Sequence, residues 1–489
     1  MISKYQFWFI VGSQNLYGPE VLKEVAEHAA LMTAGFNTDE RIPFEVVSKG
    51  VMTSTEDISA VCMAANSDPL CAGVITWMHT FSPSKMWISG LSILNKPYLH
   101  LNTQFNKRLP YDTIDMNFMN TNQSAHGDRE HGFITARLRM KRKVICGHWE
   151  DGEFRSRMGG WMRSAVGAVF SRRVKVMRMG DNMRYVAVTE GDKIQAEKDL
   201  GWSVNTYAVG ALTERVLAVT DAQTQAKLAE YKEKYTIDTD NLDAVVYQAR
   251  LEIALEQMLS EGGFAAYTDC FEDLYGLEQL PGLATQNLMA NGYGFGAEGD
   301  WKTSALLAVM TEMSLGMGQN VSFIEDYTYD FEDGDETVLG AHMLEISPAI
   351  AADKPRIEVH PLGIGGKSDP ARLVFDGKSG NAILVTIIDM GGRFRMITHD
   401  ICAVEPKAKM PLLPVAGVMW KPMPDMVTGN ESWILSGGTH HSVISYDLTA
   451  DMMRDFAEIM GIEFVHIGKD TTIPALRNQL MLGDVIWKR

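Results

Sequence analysis

The fold is decided early in the chain by the segment QFWFIVGSQNLYGPEVLKEVAEHAALMTA, residues 6–34. Its first part, residues 6–11, is a short apolar run that predicts a buried strand, and residues 19–34 have the pattern of an amphipathic helix. A strand followed by a helix is the unit from which parallel sheets are built. The pattern repeats through the first third of the chain, so we predict a parallel sheet with helices on both faces. The other predicted strands here are residues 44–47, 72–77, 98–101 and 143–147, and a further helix is residues 83–94.

Two features predict how particular helices begin. Ser82 precedes Pro83, and a hydroxyl cap followed by proline is a well-formed helix start. Asp300 is predicted to cap a helix that runs to residue 315. The second position bears on the candidate site below, because helix starts of α/β proteins lie at the edge of the sheet where ligands bind.

The rest of the chain divides into two further regions. A helix at residues 153–170 leads to a new strand at residues 174–179, which predicts a domain boundary near residue 170. Beyond residue 320 the sequence changes to short strands punctuated by Gly and Pro, with one helix at residues 450–460. The predicted fold is α/β. It consists of two Rossmann-like, doubly wound parallel-sheet domains at residues 1–170 and 171–320, followed by a C-terminal β-rich, barrel-like domain at residues 321–489.

Composition and charge exclude several classes of protein. The chain has 489 residues, 46% hydrophobic and 22% charged, which is typical of a globular protein. A formal net charge of −17 argues against nucleic-acid binding, because that binding draws on Lys and Arg. One basic run lies at residues 137–143, where a predicted helix meets a strand. We interpret it as a helix end that faces its own negative dipole or a neighbouring subunit.

Cysteine usage and apolar runs indicate the compartment. The five cysteines are scattered and form no CxxC pair, so we expect them to be reduced. The first apolar run is short and polar residues follow it, so no secretion signal is visible. No apolar stretch reaches the roughly 18 residues that span a bilayer. We therefore expect a cytoplasmic protein without membrane or nucleic-acid partners.

The first candidate site residue is Glu298, in a glycine-rich segment at residues 292–301. Glycines allow close backbone approach, and this carboxylate stands just before a predicted helix, where ligands of α/β sheets collect. A glycine-rich connector with a solvated glutamate is the alternative interpretation.

The second candidate is a pair, Glu325 and His342. Their segments flank Asp333-Gly334, which is typical of a two-residue hairpin turn. Glu325 lies eight residues before Asp333 and His342 eight residues after Gly334, so they would face each other. Cross-strand partners hold their β-carbons about 4.5 to 5.5 Å apart, close enough to share a metal ion. An ordinary hydrogen bond between them is the alternative.

The third candidate is the pair of adjacent histidines, His440 and His441, that follows a double glycine. In an extended segment neighbouring side chains point to opposite faces, so at most one would normally bind a given ion. Two carboxylates with one or two histidines suit Mn²⁺, Mg²⁺ or Co²⁺ better than a structural zinc.

Common cofactor and hydrolase motifs are absent from the sequence. The glycine-rich residues 363–367 fit neither a Walker A loop nor a dinucleotide fingerprint. There is no GxSxG and no HExxH, so serine hydrolases and zincins are not supported.

Eight longer motifs occur in an order that resembles the bacterial L-arabinose isomerase family along the whole chain. This many motifs in one order are far more specific than any single pattern. They are VGSQNLYG (11–18), HTFSP (79–83), QSAHG (123–127), GDNMR (180–184), EGDWKT (298–303), EDYTY (325–329), HMLE (342–345) and GGTHH (437–441).

The resemblance implies one metal ion per subunit, usually Mn²⁺, with Co²⁺ or Mg²⁺ as possible substitutes. Its ligands would be Glu298, Glu325, His342 and His441, and the two glutamates would also transfer the protons. The resemblance also places residues around the sugar, with two of them, Gln123 and His126, reaching a neighbouring subunit of a homohexamer. The remaining implied sugar contacts are Gln14, Leu16, Tyr17, Phe81, Met183, Phe271 and Ile364.

Core packing is the alternative role for the four apolar residues of that set. These are Phe81, Met183, Phe271 and Ile364.

The implied activity is aldose–ketose isomerisation, converting L-arabinose to L-ribulose as the first step of L-arabinose catabolism. D-galactose, converted to D-tagatose, is a second substrate that the family often allows. The expected route is a metal-stabilised cis-enediol with the two glutamates as acid and base. A metal-assisted hydride shift is the competing chemistry.

Two alternative functions remain open. One is a sugar-binding protein without catalysis, and the other is a metal-dependent lyase or epimerase.

Overall fold

The computed structural model describes residues 2–487, which form two compact units. The first unit runs to Val169 and includes Arg454–Gly461, and the second comprises Phe170–Met453 with the residues after Gly461. The predicted division into three domains stays a prediction. Across residues 2–487 the helices are too short or too polar to span a bilayer.

The first unit contains a five-stranded parallel sheet in the order β2-β1-β3-β4-β5. The five strands predicted for this region are therefore confirmed. The central strand, β3, is buried along its whole length, as expected for a parallel strand that is covered on both faces. The elements of the first unit are β1 (Ile2–Gly12), α1 (Gly18–Asn37), β2 (Phe44–Met52), α2 (Thr55–Ser67), β3 (Cys71–Met78), α3 (Ile88–Ile93), β4 (Tyr98–Asn102), α4 (Met116–Thr121), α5 (Ser124–Arg137) and β5 (Lys143–Cys146), followed by α6 (Gly152–Ser171).

The predicted cap at Ser82 is wrong. The chain first forms a 3₁₀ turn at Ser84–Trp87 without a side-chain cap, and only then α3. The Ser82 hydroxyl instead accepts a hydrogen bond from the Trp87 indole at 3.0 Å. Because this indole is fully buried, its N–H needs an internal acceptor, and that need takes precedence over capping.

The second unit begins with a four-stranded parallel sheet in the order β10-β9-β6-β7. Asp300 caps α12 by accepting from the backbone N–H groups of Lys302 and Thr303, as predicted. The loops that follow β6, β9 and β10 leave the carboxyl edge of this sheet, where ligands of such folds bind. The elements are β6 (Lys175–Met179), α7 (Lys193–Leu200), β7 (Ser203–Tyr207), α8 (Val209–Ala218), α9 (Asp221–Lys234), β8 (Thr236–Ile237), α10 (Leu242–Gly262), β9 (Ala266–Asp269), α11 (Leu283–Ala290), β10 (Gly294–Gly296) and α12 (Trp301–Met313).

The C-terminal region is a closed antiparallel barrel, which confirms the predicted β-rich, barrel-like fold. Its strand order is β15-β18-β11-β12-β17-β16, and β16 closes the ring by pairing with β15. β19 adds to β16 in parallel, while β8, β13 and β14 form a small separate sheet. The elements are β11 (Val321–Asp330), β12 (Thr337–Ala341), β13 (Arg356–Val359), β14 (Ala371–Val374), β15 (Gly380–Asp389), β16 (Phe394–Val404), β17 (Gly417–Pro422), α13 (Met426–Leu435), β18 (His441–Ser445), α14 (Ala450–Met460), β19 (Glu463–Ile467) and α15 (Ile473–Ile486).

The basic run at residues 137–143 begins with Arg137 in the last turn of α5, as the interpretation of a basic helix end predicts, and its contact with a neighbouring subunit stays a prediction. Lys143 forms an ion pair with Asp455 at 2.6 Å. The Lys141 ammonium donates to the carbonyl of Ile459, in the last turn of α14, at 3.5 Å. Two lysines of the run therefore also contact the part of α14 that belongs to the first unit, and Lys141 lies at the negative end of that helix.

Three buried histidines are each predicted to contribute less to stability in mild acid. Burial lowers the pKa of His79 to about 3 and of His399 to about 4, and it holds the pKa of His131 well below its usual 6.5. The folded protein keeps these rings neutral, whereas the unfolded chain protonates them below pH 6.5. Their contribution to stability is therefore complete above pH 6.5 and declines as the pH falls.

At pH 5.5 each ring is expected to reduce the free energy of unfolding by about 1 kcal/mol. The measurement compares the thermal midpoints of wild type and His399→Gln, both metal-stripped and in chelator, at pH 7.5 and 5.5. Acid is expected to lower the wild-type midpoint more than that of the variant, because the other shifted groups titrate alike in both proteins. A difference between the two midpoints that does not change with pH would contradict the assignment.

Candidate active site

Glu325 and His342 lie together in the structure, but a different loop brings them there. β11 ends at Asp330 and β12 begins at Thr337, where the two strands first pair. The connection is therefore residues 331–336, and the predicted two-residue turn is wrong. The acidic side chains of this longer loop surround an exposed lysine rather than tightening a hairpin.

A bulge in β11 then shifts the register by one residue. Beside the loop, Thr328 pairs with Leu339, as the predicted count requires, but farther along Glu325 pairs with Ala341. His342 directly follows that partner. Its Nε2 still lies 3.6 Å from a Glu325 carboxylate oxygen, so the predicted proximity is found although the predicted pairing is not.

A second glutamate–histidine pair lies on the other side of β11. His441, the first residue of β18, is the direct cross-strand partner of Glu325. Its Nε2 is 3.7 Å from a carboxylate oxygen of Glu298, which follows β10. The His342 and His441 rings have centroids 6.4 Å apart and are nearly perpendicular. The barrel and the parallel sheet of the second unit together assemble the four residues.

Two carboxylates that the sequence analysis did not assign orient these histidines. Glu345 contacts Nδ1 of His342 at 2.5 Å, and Asp300 contacts Nδ1 of His441 at 3.1 Å. In a neutral ring, an Nδ1–H that donates to a carboxylate leaves Nε2 with a free lone pair, which is the tautomer that binds a metal. Asp300 was recognised only as a helix cap. Glu345 lies three residues after His342, and this spacing is the signal that could have identified Glu345.

One candidate metal-binding atom of the site is buried without a hydrogen-bond partner in the described part of the chain. His441 is fully buried, and its Nε2 has no hydrogen-bond partner among residues 2–487. Phe323, two positions before Glu325 on the same strand face, packs edge-on against both rings at 5.2 and 5.3 Å. This apolar wall restricts water on one side of the two histidines.

The pKa shifts show how much negative charge is crowded here. Burial raises the pKa of Glu325. His342 and His441 oppose this rise, and the nearby Glu298 and Glu345 add to it. Burial alone would lower the pKa of His342, but the carboxylates led by Glu345 outweigh it and raise that pKa to about 9. Burial also raises the pKa of Asp269, at the end of β9, to about 8.

Asp300 is the exception, since its pKa stays well below the usual range. Burial would raise it, but the ammonium of Lys302 and the imidazole of His441 outweigh that effect. Asp300 is therefore a fixed negative charge behind the His441 ring.

These residues fit a divalent cation. A carboxylate oxygen and a ring nitrogen that bind one ion each lie about 2.0–2.2 Å from it, so they are no more than roughly 4.4 Å apart. The observed 3.6 and 3.7 Å separations satisfy this limit, and the orphaned His441 Nε2 needs a partner. Two imidazoles and two glutamates among further carboxylates form a mixed, fairly hard donor set.

His440 also lies at the site, against the expectation that adjacent histidines would point apart. Glu298, His440 and His441 offer one ligand atom each within 4.8 Å of one another, and His440 Nε2 is 3.8 Å from Glu325. The alternation rule does not apply because β18 begins only at His441. His440 is 37% exposed whereas His441 is fully buried, so we keep His441 as the predicted ligand.

The residues predicted to contact the sugar fall in both units. In the first unit, Phe81 stacks on His126 with ring centroids 4.6 Å apart, and the Gln123 N–H donates to the His79 carbonyl. Leu16 is 82% exposed and lies in a 3₁₀ turn after β1. Gln14 precedes that turn and Tyr17 ends it.

In the second unit, Met183 follows β6, Phe271 follows β9 and Ile364 lies in the loop before β14. None of these three residues, nor Phe81, is among the buried core side chains, which weakens the packing alternative. Their contact with the sugar stays a prediction.

Comparison with known proteins covers nearly the whole chain. Family models match residues 1–173 as the L-arabinose isomerase N-terminal domain, 175–316 as the central domain and 320–463 as the C-terminal domain. The L-arabinose isomerase of Geobacillus kaustophilus is 53% identical over 490 residues, covering 99% of this chain and 98% of the relative. L-arabinose isomerase 1 of Bacillus licheniformis and the Thermotoga petrophila enzyme are 54% and 52% identical, each with 99% and 98% coverage.

Proposed function

Because the chain belongs to the L-arabinose isomerase family, an enzyme family, we propose that it catalyses the isomerisation of L-arabinose to L-ribulose. The observation that carries the proposal is the site of the second unit. There, two histidines have their Nδ1 atoms held by carboxylates, so that each Nε2 faces a glutamate.

The proposed metal ligands are Glu298, Glu325, His342 and His441, and the proposed ion is Mn²⁺, with Co²⁺ or Mg²⁺ as substitutes. When bound, such an ion supplies Lewis-acid stabilisation of negative charge on the sugar oxygens. The crowded carboxylates and the unpartnered His441 Nε2 support this assignment.

The two glutamates are proposed to move the proton between C1 and C2 of the sugar. Isomerisation removes a proton from one carbon and returns one to the next, so it needs a base and an acid near both. The raised pKa of Glu325 suits proton exchange closer to neutral pH. Asp300 and Glu345 keep the histidine rings from rotating, and Phe323 keeps water from one side of them.

Enediol chemistry and a hydride shift leave different isotope patterns. We expect L-arabinose deuterated at C2 to lose label to solvent during turnover, because a carboxylate proton exchanges with water before it is returned. The measurement is the deuterium content of the ketose by NMR. Complete retention of label at C1 of the ketose would favour the hydride shift.

Several finer features remain part of the proposal. These are the use of D-galactose, a cytoplasmic location, and a homohexamer in which Gln123 and His126 reach a neighbouring subunit. Family membership supports each of them.

The test of the function starts from metal-stripped protein. Adding Mn²⁺ and L-arabinose is expected to produce L-ribulose, followed by NMR, while the stripped protein without added metal produces none. D-galactose in a parallel sample tests the second substrate. Bound sugar without a new product would support a binding protein, and a product other than the ketose would support a lyase or epimerase.

A further inference from the structure

The backbone at Glu298 has an uncommon conformation. Glu298 has φ = 62° and the next residue, Gly299, has φ = 83°, so two successive residues are left-handed. A non-glycine residue persists in this region only where its surroundings hold it there. The direction of the Glu298 carboxylate therefore depends on whatever secures this turn.

The loop at residues 180–190, which follows β6, secures it from the outside. The Met183 N–H donates to the Glu298 carbonyl at 2.9 Å, and the Asn182 side-chain amide donates to the Gly299 carbonyl at 3.1 Å. A β-carbon on Gly299 would lie 2.5 Å from the Asp181 carbonyl oxygen and 2.6 Å from the Asn182 α-carbon. The two segments are packed so closely that only glycine fits.

Asn182 is the centre of this contact, and its chemistry suits an amide alone. Its Oδ1 accepts from the Arg178 guanidinium at 2.5 Å, while its Nδ2 donates to the carbonyls of Thr189 at 2.5 Å and Gly299 at 3.1 Å. The side chain is only 8% exposed. Aspartate has the same shape, but it would place an acceptor against two carbonyl oxygens.

The same loop also supports the residue behind His441. The Lys302 ammonium donates to the carbonyls of Val188, Thr189 and Glu190 and lies 3.2 Å from Asp300. Thr189 thus accepts from both Asn182 and Lys302. The loop at residues 180–190 therefore contacts both the turn that carries Glu298 and the Lys302 ammonium beside Asp300, the residue behind His441.

We propose that Asn182 is a positioning residue, which holds the left-handed Glu298–Gly299 turn so that the Glu298 carboxylate faces His441 Nε2. The inference rests on the proposed function, because it assigns Asn182 the task of presenting a metal-binding and proton-transferring carboxylate. Asn182 acts through the Gly299 backbone. Since Met183 belongs to the same loop, this contact also links a predicted sugar-binding residue to the carboxylate.

The test compares Asn182→Asp with a matched control, Gln248→Glu. Gln248 is also fully buried, and its Nε2 donates to two oxygens, those of Gln279 and Leu280, at 2.9 and 2.8 Å. In both variants a carboxylate replaces a buried side-chain amide, and each amide donates two hydrogen bonds in the wild-type protein. Only the Asn182 contacts reach the Glu298–Gly299 turn. Both variants are therefore expected to lose stability, but only Asn182→Asp should also misplace the Glu298 carboxylate.

The primary measurement is Mn²⁺ binding to the metal-stripped proteins, followed by electron paramagnetic resonance of free Mn²⁺. We expect Asn182→Asp to bind Mn²⁺ about 10- to 100-fold more weakly than wild type, and Gln248→Glu to stay within about twofold. At saturating Mn²⁺, kcat for L-arabinose is expected to fall at least about tenfold in Asn182→Asp, because the proton-transferring carboxylate is displaced. Thermal midpoints show how far each variant is destabilised.

Wild-type Mn²⁺ affinity and kcat in Asn182→Asp would overturn the positioning role and leave the proposed function intact. An equal loss of Mn²⁺ affinity in Gln248→Glu would also overturn it, since destabilisation would then explain both. Wild-type protein that binds no Mn²⁺ and forms no L-ribulose would instead refute the proposed function. If Asn182→Asp does not fold, Asn182→Ala, which removes the donors without adding a charge, is measured against the same control.

Discussion

Glu298→Gln is expected to reduce L-ribulose formation by about 10³-fold or more, which falls within the range lost with a general acid or base. Glutamine keeps the size of the side chain but neither accepts a proton nor carries the charge that faces His441 Nε2 at 3.7 Å. The variant therefore loses a proposed proton carrier and a proposed metal ligand together. The measurement is the initial rate by NMR at saturating Mn²⁺.

The matched control is Glu332→Gln in the same unit. Glu332 is 65% exposed and pairs with Lys407 on the surface, an interaction that contributes little to stability. Its turnover and thermal midpoint should equal those of wild type. If Glu298→Gln retains more than a tenth of the wild-type rate with the same midpoint, Glu298 is not a proton carrier and the assignment passes to Glu325 alone.

Asp300→Asn is expected to weaken Mn²⁺ binding about 10- to 100-fold and to lower turnover with it. One carboxylate oxygen of Asp300 accepts from the Lys302 and Thr303 N–H groups. The other accepts from the Thr303 hydroxyl at 2.7 Å and faces His441 Nδ1 at 3.1 Å. Both oxygens of the aspartate face hydrogen-bond donors. The asparagine of the variant must therefore turn its NH₂ group toward one of these two sets of donors.

Asparagine caps helices well through its oxygen, so the NH₂ is expected to face His441. The ring must then carry its proton on Nε2, and a protonated Nε2 cannot bind a metal ion. The ¹⁵N chemical shifts of His441 report this change of tautomer directly, and calorimetry reports the Mn²⁺ affinity.

Asp192→Asn is the control for the loss of a capping carboxylate. Asp192 caps α7 by accepting from the Ile194 and Gln195 N–H groups, and those cap contacts involve neither histidine. This variant should keep wild-type Mn²⁺ affinity and turnover. Unchanged His441 shifts and Mn²⁺ affinity in Asp300→Asn would show that the carboxylate does not set the tautomer.

The two pairs at the site differ in how far they could be predicted. Glu325 and His342 are close in sequence, so a turn signal and a residue count were enough to bring them together, even though the loop is longer and a bulge changes the register. His441 meets Glu325 only because β18 pairs with β11 in the closed barrel. No local pattern predicts which distant strand becomes a neighbour. The sequence offered His440 and His441 together, and only the family resemblance selected His441.

Local patterns also failed where tertiary contacts overrode them. Ser82 has the residue type of a cap, but a buried indole uses its hydroxyl. Helix α13 was missed because its sequence contains Gly429 and few strong helix formers, although Asp425 caps it by accepting from the Thr428 N–H. Packing among residues far apart in the chain decides such cases.

The sequence by itself determined the alternating strands and helices of the first unit, the helix cap at Asp300 and the change to β structure after residue 320. These follow from periodicity and local hydrogen bonding, which act within a few residues. Only the tertiary structure decided that Asp300 and Glu345 orient the two histidines, and that Asn182 reaches the Gly299 carbonyl 117 residues away. Such contacts depend on which loops meet at the edge of a sheet, because a hydrogen bond between distant residues leaves no periodic trace in the chain.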